Sequence, residues 1–374
     1  MRILFDARRA VHRANGISRI IDGLLGALVE LDQQNEYLVL WGERNPLPAH
    51  APANFEARHI DLDINSLAVN WFMPKMALNW HANVAYFPFW LMPLWMPCPS
   101  VVAIHDLIFS KFPQYLPPFR RIVYGQYTSL AVRFARRVHV LSTHSQSDLI
   151  RLYRAQVNRV DVIPPDADAR FVQRDRESWD MEVLEARGLS APFVLYVGNH
   201  KPHKNLDRLI NAYGSVSDRM QSKLVIVGAK ASYEDPYSLP YLELVQKLSL
   251  QDRVQFVGQI EDTELSLYYN AARFVVFPSL YEGFGLSPLE AMRCGTPVAC
   301  SSTSSLPEVV GDAALTFDPA DERQIADAML QLDRSTELRD ELSRRGLERA
   351  SMFSWRKSAS KWLQSLEQAS GVSC

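Results

Sequence analysis

The chain has 374 residues and a formal net charge of -2 at pH 7; 47% of the residues are hydrophobic and 22% are charged. A chain of this length is longer than most domains with a single hydrophobic core, so two globular domains are expected. The near-zero charge gives no overall attraction to nucleic acid, which is not expected as a partner. The four cysteines have neither CxxC nor metal-ligand spacing, which is typical of reduced thiols in a cytoplasmic protein.

The first residues, MRILFDAR, predict a strand rather than a signal peptide, because they lack a long apolar core and a cleavage site. The longest apolar stretch, at 85–97, is too short to cross a bilayer and contains three prolines. We therefore expect a cytoplasmic protein with no membrane-spanning helix and, at most, peripheral contact with the inner face of the plasma membrane.

Short apolar strands alternate with helical segments along the whole chain. In the N-terminal half they begin near residues 2, 37, 84, 100, 137 and 160, and in the C-terminal half near residues 193, 223, 253, 273 and 297. This alternation is typical of parallel sheets that are covered by helices on both faces.

The predicted fold is therefore α/β, with two Rossmann-like parallel-sheet domains that face a central cleft. We place them at 1–165 and 193–353, with a linker at 166–192. A helix is predicted at about 354–370. The sequence pattern does not show which domain it packs against, and packing on the first domain is one possibility. Ligands of such sheets bind at the carboxyl ends of the strands, so functional motifs should follow strands directly.

One such motif follows the strand near 273, where Glu282 and Glu290 stand eight positions apart. One interpretation is structural: Ser287 begins a helix as its N-cap, Glu290 completes a capping box, and Glu282 is a surface residue. The other is functional. Gly283 and Gly285 let the backbone at 284–286 approach a phosphate, and the two carboxylates accept hydrogen bonds from sugar and ribose hydroxyl groups.

Two further motifs also follow strands. Lys201, His203 and Lys204 lie just after the strand near 193, which suits the stabilisation of a departing diphosphate better than a solvated loop. His105 and Asp106 end the strand near 100, either as a structural hydrogen-bonded pair or as part of a site.

Two other classes of nucleotide enzyme fit less well. The segment GFGLSP has Pro288 where the third glycine of a dinucleotide-binding GxGxxG motif belongs, which disfavours a nicotinamide enzyme. The second class binds a metal ion through a DxD motif. DLD at 61–63 and DAD at 166–168 have that pattern, but neither follows a nucleotide-binding strand, so no metal site is predicted. Lys204 and a helix dipole would take the role of a divalent ion.

The segment between Asp106 and Asp148 contains no acidic residue. Its six basic residues are Lys111, Arg120, Arg121, Arg133, Arg136 and Arg137. They either form a solvated helix face or meet an anionic partner, namely a membrane surface or a lipid-diphosphate acceptor. On the second interpretation Arg120, Arg121 and Arg133 mark an acceptor or membrane face.

With these motifs assembled, nearly the whole chain resembles the retaining glycosyltransferases of the GT-B fold known as glycosyltransferase family 4. The resemblance is carried by NGISRIIDGLL at 15–25, YVGNHKPHKNLDRLINAY at 196–213, YEGFGLSPLEAM at 281–292 and SSLPEVVGDAALTFDP at 304–319. It implies no cofactor, a nucleotide-diphosphate sugar as donor, and a saccharide or polyprenyl-diphosphate-linked acceptor. These segments are most similar to those of bacterial mannosyltransferases of surface polysaccharide synthesis, which implies GDP-mannose as the donor.

The resemblance also implies residue roles. The catalytic residues would be His105, Lys204 and Glu282. The remaining donor-binding residues would be Gly16, His203, Gly283, Phe284, Gly285, Leu286 and Glu290. His203 stands where many relatives have arginine, and Ser18 where they have glycine. The two rival functions are a GT-B sugar-nucleotide epimerase and a non-catalytic nucleotide-sugar-binding subunit.

Overall fold

The structure is a computed structural model that describes residues 1–11, 16–115, 117–175, 181–189, 192–228 and 239–371. The chain divides into two compact units. The first comprises Met1–Asp166 together with Phe353–Cys374, and the second comprises Ala167–Met352. Each unit contains one parallel sheet with helices packed against it, so the predicted α/β architecture of two parallel sheets is confirmed.

The first unit contains a seven-stranded sheet with the order β3-β2-β1-β4-β5-β6-β7. Its strands are β1 Arg2–Asp6, β2 Glu36–Trp41, β3 Phe55–His59, β4 Val84–Phe87, β5 Ser100–Ala103, β6 Arg137–Val140 and β7 Val160–Val162. Its helices are α1 Gly16–Leu31, α2 Val69–Asn79, α3 Ile108–Lys111, α4 Pro118–Phe134 and α5 Thr143–Tyr153, with the C-terminal helix Trp355–Ser370. The strand order reverses between β1 and β4, where ligands of such sheets bind.

The two faces of this sheet have separate apolar cores. On one face α1 and the helix Trp355–Ser370 cover β1, with Trp362 only 1% exposed. On the other face α2, α4 and the β4–β5 connection form the core. That connection, 88–99, contains no helix; instead Trp90 and Met92 bury their side chains against the sheet.

The second unit contains a six-stranded sheet with the order β10-β9-β8-β11-β12-β13. Its strands are β8 Phe193–Gly198, β9 Lys223–Gly228, β10 Val254–Gly258, β11 Phe274–Phe277, β12 Val298–Ser301 and β13 Ala314–Phe317. Its helices are α6 Met181–Ala186, α7 Leu206–Val216, α8 Leu239–Lys247, α9 Asp262–Ala271, α10 Leu286–Arg293, α11 Leu306–Val310, α12 Glu322–Arg334 and α13 Thr336–Ala350. The C-terminal helix Trp355–Ser370 is therefore α14.

Two strands were absent from the sequence prediction, and both lie at sheet edges. β3 buries only Phe55 among its five residues, and β13 contains two half-buried residues and one exposed residue. Edge strands need no continuous apolar run, so they give a weak sequence signal. The segment predicted as a linker, 166–192, belongs to the second unit from Ala167 onward and buries Phe171; residues 176–180 and 190–191 of it lie outside the described part.

The packing of α14 on α1 can be tested with two glycines of α1. A Cβ added at Gly23 would lie 2.1 Å from the Trp355 ring, whereas nothing lies within 4 Å of one added at Gly26. We expect Gly23→Ala to destabilise the protein by about 1–3 kcal/mol through overpacking. Gly26→Ala should stabilise it by about 0.5–1 kcal/mol through helix propensity. Urea unfolding measures both, and equal effects would contradict this packing.

Candidate active site

Three loops of the second unit meet because the strands before them are neighbours. β11 pairs in parallel with β8 on one side and with β12 on the other. The loops that follow β8, β11 and β12 therefore leave the same edge of the sheet, at its carboxyl end. They contain Lys204, Glu282 and Ser305, respectively. The strand order reverses between β8 and β11, so this edge is also the expected ligand position.

The first two loops are joined by an ion pair. Lys204 Nζ lies 2.6 Å from Glu282 Oε1, and the two side chains are only 20% and 17% exposed. Burial by itself raises the pKa of the Glu282 carboxyl, but the charge and hydrogen bond of Lys204 outweigh burial and hold that pKa below its usual value. Glu282 is therefore a carboxylate at neutral pH and can accept hydrogen bonds.

Asn205 fixes the position of this lysine. Its backbone has φ 60°, and its buried side-chain amide donates to Pro278 O at 2.9 Å and to Pro319 O at 2.8 Å. Arg208 Nη1 donates to the amide oxygen at 2.7 Å. Because asparagine tolerates the left-handed conformation, the chain can turn sharply here between Lys204 and α7. One side chain thus ties the β8 loop to the ends of two other strands.

The glycine loop at 282–285 is held by the serines that follow β12. Ser305 Oγ donates to Glu282 O at 2.9 Å and to Phe284 O at 2.6 Å, and Glu282 N donates to Ser304 Oγ at 3.0 Å. Two carbonyl groups of the loop are thus turned toward the Ser305 hydroxyl, and Ser304 accepts from a loop N–H group. The loop enters α10 through Gly285, whose φ of 119° strongly favours glycine.

The predicted capping box is wrong. The residue that precedes α10 as its N-cap is Gly285 rather than Ser287, and no side chain caps this end. Glu290 is instead 1% exposed, and Tyr269 Oη donates to its Oε2 at 3.2 Å. Glu290 therefore packs inside the unit on the neighbouring helix α9. Its role as a donor-binding residue stays a prediction.

His203 is buried beside the ion pair. Burial, and next the charge of Lys204, lower the pKa of its imidazole to about 4. His203 is therefore neutral at pH 7 and adds no charge to the loop, in contrast to the predicted cluster of three basic residues. The positive charge of this loop comes from Lys204 and from Lys201, which is exposed.

In the first unit His105 lies just beyond the carboxyl end of β5. Its Nε2 is 2.7 Å from the carbonyl oxygen of Pro88, which follows the neighbouring strand β4. A carbonyl can only accept, so Nε2 carries the proton and Nδ1 is an acceptor. Burial lowers the pKa of His105 to about 4, and Nδ1 is buried without a hydrogen-bond partner among the described residues.

Gly16 begins α1 and is exposed, with open space where a Cβ would stand; residues 12–15 before it lie outside the described part. Ser18 is fully buried. It accepts from Val11 N at 3.1 Å and donates to Arg9 O at 3.0 Å. Ser18 therefore fixes the chain after β1 to the first turn of α1.

The basic residues between Asp106 and Asp148 have two different environments. Lys111 pairs with Asp148 at 3.1 Å and Arg137 with Asp161 at 2.5 Å, which are structural contacts. The others form no ion pair with a described residue and are exposed: Arg120, Arg121, Arg133 and Arg136. The predicted acceptor or membrane face on α4 thus consists of solvent-exposed charges.

Sequence analysis missed three residues that build the site: Asn205, Ser304 and Ser305. Asn205 stands between a lysine and an apolar helix, and an asparagine in that position is a recognisable turn signal. The serines are common surface residues, and only the pairing of β12 with β11 brings them to Glu282.

Comparison with known proteins gives the family. The model for "Glycosyl transferases group 1" matches residues 184–349. The O-antigen chain mannosyltransferase B of Escherichia coli is 33% identical over 259 residues, which are 68% of this chain and 67% of that protein. The chain belongs to the group 1 glycosyltransferases. The E. coli serotype-specific mannosyltransferase WbdA is 30% identical over 272 residues, 71% of this chain but only 33% of WbdA.

A solved structure shows the fold of this group 1 glycosyltransferase. The sucrose-phosphate synthase of Thermosynechococcus elongatus matches with a TM-score of 0.80 over 100% of both chains, at 21% identity. The likeness identifies the fold as GT-B, as predicted. Within the described residues, no helix has the length and apolarity needed to span a bilayer, and no group of three or more His, Cys, Asp and Glu side chains could hold a metal ion.

The role of Asn205 can be tested with an isosteric change. Asn205→Asp keeps the side-chain shape and the partner Arg208 but replaces the amide donor with a carboxylate oxygen that faces two carbonyls. We expect it to lose about 2–4 kcal/mol of unfolding free energy at pH 7, because buried acceptors are left without a donor. Part of the loss should return near pH 4, where a protonated carboxyl can donate. Unchanged stability at pH 7 would contradict the role.

Proposed function

We propose that this glycosyltransferase moves mannose from GDP-mannose to a saccharide or lipid-linked saccharide in surface polysaccharide assembly. The observation that carries the proposal is the Lys204–Glu282 pair at the carboxyl ends of β8 and β11, beside the N-terminus of α10. It offers a cation for a diphosphate and a carboxylate for sugar hydroxyls within one site. The mannosyltransferase names of the two E. coli relatives support the choice of sugar.

In the proposed reaction Lys204 exchanges partners. Its Nζ pairs with Glu282 in the free protein, and it would turn to the diphosphate when the donor binds, leaving Glu282 to accept hydrogen bonds from the sugar. Cleavage of the glycosidic bond leaves negative charge on the diphosphate. A fixed cation near that charge stabilises the transition state more than the ground state, and one well-placed group contributes roughly 3 kcal/mol.

The backbone at 284–286 would bind the diphosphate. These residues lead into the first turn of α10, whose amide N–H groups have no partner within the helix. Gly283 and Gly285 leave the backbone open to close approach, and Phe284 and Leu286 complete the loop. With Lys204 and this helix end supplying positive potential, we propose a reaction that needs no divalent metal.

His105 of the first unit would contact the donor sugar. Its Nδ1 accepts and its Nε2 is already committed to Pro88, so the ring can take one hydrogen bond from a sugar hydroxyl. Gly16 would lie at the phosphates, His203 beside Lys204, and Glu290 at the ribose, as the family resemblance implies. We propose retention at the anomeric carbon, by front-face attack of the acceptor hydroxyl.

The acceptor would be a saccharide, free or linked to polyprenyl diphosphate. The exposed side chains of Arg120, Arg121 and Arg133 on α4 carry charge suited to an anionic acceptor or to weak contact with the inner face of the plasma membrane. Such contact is electrostatic and should weaken as salt is raised.

The lysine can be tested with Lys204→Met, which keeps the length of the side chain and removes the charge. We expect turnover to fall more than about 100-fold while the KM for the donor changes little, because the charge acts mainly as the diphosphate leaves. Lys247→Met, at an exposed lysine of α8, is the matched control and should leave both constants unchanged. A loss confined to KM would make Lys204 a ground-state anchor instead.

The donor can be tested by following labelled GDP-mannose and UDP-glucose in the presence of saccharide acceptors. We expect label from GDP-mannose to appear in the acceptor with the α configuration of the donor, with or without EDTA. Transfer from UDP-glucose alone would overturn the donor assignment. Release of free sugar or of an altered nucleotide without transfer would indicate an epimerase, and binding without reaction would indicate a non-catalytic subunit.

A further inference from the structure

A groove of about 670 Å³ lies at the amino-terminal edge of the first sheet. Ser100 opens β5 there, Arg136 immediately precedes β6, and Arg159 immediately precedes β7. His105 follows the opposite, carboxyl end of β5. The groove and His105 therefore lie at opposite edges of this sheet.

One wall of the groove is apolar and unusually exposed. Trp95 is 61% exposed, Leu94 48% and Phe134 54%. Trp95 and Leu94 belong to the connection between β4 and β5, which buries Trp90 and Met92 against the sheet. The connection therefore presents one apolar pair to the core and another to the surface.

The other wall is cationic. Arg136 is exposed and forms no ion pair with a described residue. Arg159 donates from Nε to Arg136 O at 3.2 Å and from Nη2 to Ala135 O, so it caps the end of α4 and stays in place. Burial, and next the charge of Arg136, lower the pKa of Arg159, which reflects two cations close together. No described lining residue is Asp or Glu.

The apolar surface continues beyond this groove. A second groove, again about 670 Å³, shares Leu94 and Trp95 and adds residues from one face of α2 and from the turn before that helix. These include Leu67, Trp71 and Leu78, which are 68%, 72% and 53% exposed. Between Asp63 and Asp148 the only acidic residue of the sequence is Asp106. No described residue that lines the second groove is Asp or Glu either.

Single exposed apolar residues are ordinary, but a continuous surface with two exposed tryptophans indicates an interaction site. Tryptophan prefers the headgroup level of a bilayer, and arginine binds lipid phosphate. A soluble anion would account for the arginines but not for Trp71 and Trp95. Charge complementarity and apolar exposure together favour one partner, an anionic lipid bilayer.

We propose that these two grooves form a lipid-docking surface in which Arg136 and Arg159 bind lipid phosphate groups and Trp95, Leu94 and Trp71 enter the interfacial region. The proposal rests on the membrane contact proposed above and assigns the main attachment to the amino-terminal edge of the first sheet. This attachment and the contacts of α4 differ in their salt dependence. Contacts of Arg120 and Arg121 are screened by salt, whereas burial of apolar side chains persists.

The experiment measures binding of the full chain to vesicles of phosphatidylcholine with and without phosphatidylglycerol, in low salt and in about 0.5 M salt, where charges are strongly screened. The variants are Trp95→Ser, Arg136→Glu and the double reversal of Arg120 and Arg121 to Glu. Arg219→Glu, an exposed arginine of the second unit, is the control for charge. Melting temperature and transfer to a soluble acceptor are measured on the same preparations.

We expect wild-type binding to persist in high salt, with Trp95→Ser at least about fivefold weaker and the double reversal unchanged there. Arg136→Glu should weaken binding to anionic vesicles in low salt at least about fivefold more than Arg219→Glu does. Transfer to the soluble acceptor should be unaffected in Trp95→Ser, Arg136→Glu and Arg219→Glu. If the wild type transfers no sugar to the soluble acceptor, the proposed transferase function is contradicted, but the vesicle-binding result still stands.

Three results would overturn the proposal. The first is that Trp95→Ser and Arg136→Glu bind vesicles as strongly as the wild type does. The second is competition by soluble glycerol 3-phosphate that removes all binding, which would make the groove a small-anion site. The third is a dimer that Trp95→Ser dissociates, with no vesicle binding by the wild type, which would make the surface an interface between two copies of the chain.

Discussion

The parallel pairing of β11 with both β8 and β12 is the constraint on which the candidate active site depends. Side chains far apart in the sequence, near 204, 282 and 305, share one edge only because these three strands run in the same direction side by side. Asn205 and Ser305 then hold the loops in register through hydrogen bonds to backbone carbonyls. Because most of these contacts are made to backbone, the site depends on strand order more than on the neighbouring side chains.

The Lys204–Glu282 pair has a cost as well as a use. Two largely buried charges lose hydration, and their attraction compensates only while both are present. One interpretation of the sequence made Glu282 a surface residue, but the structure pairs it with Lys204, so each residue is the counter-ion of the other. Glu282 holds the side chain of Lys204 in place in the free protein. In the proposed reaction the donor diphosphate would replace Glu282 as its partner.

The sequence predicted the buried strands and the loops after them, because continuous apolar runs and the motifs around Lys204 and Glu282 are local signals. It did not predict the edge strands β3 and β13, which lack such runs. Glu290 shows another limit: its spacing from Ser287 fits a capping box, yet burial against Tyr269 and the glycine at 285 determine where α10 begins. The serines after β12 could not be assigned, because their role arises only from strand pairing.

The membership of α14 in the first unit has a consequence for the order in which the protein folds. In the chain, the whole second unit is inserted between residue 166 and residue 353 of the first. Trp362 and Leu366 complete the core that covers β1, so that core lacks one wall until the residues that follow the second unit have left the ribosome. The second unit is contiguous and can close its own core earlier. During synthesis the N-terminal strands therefore emerge first but become stably packed last, and their apolar face is the segment most exposed to premature association.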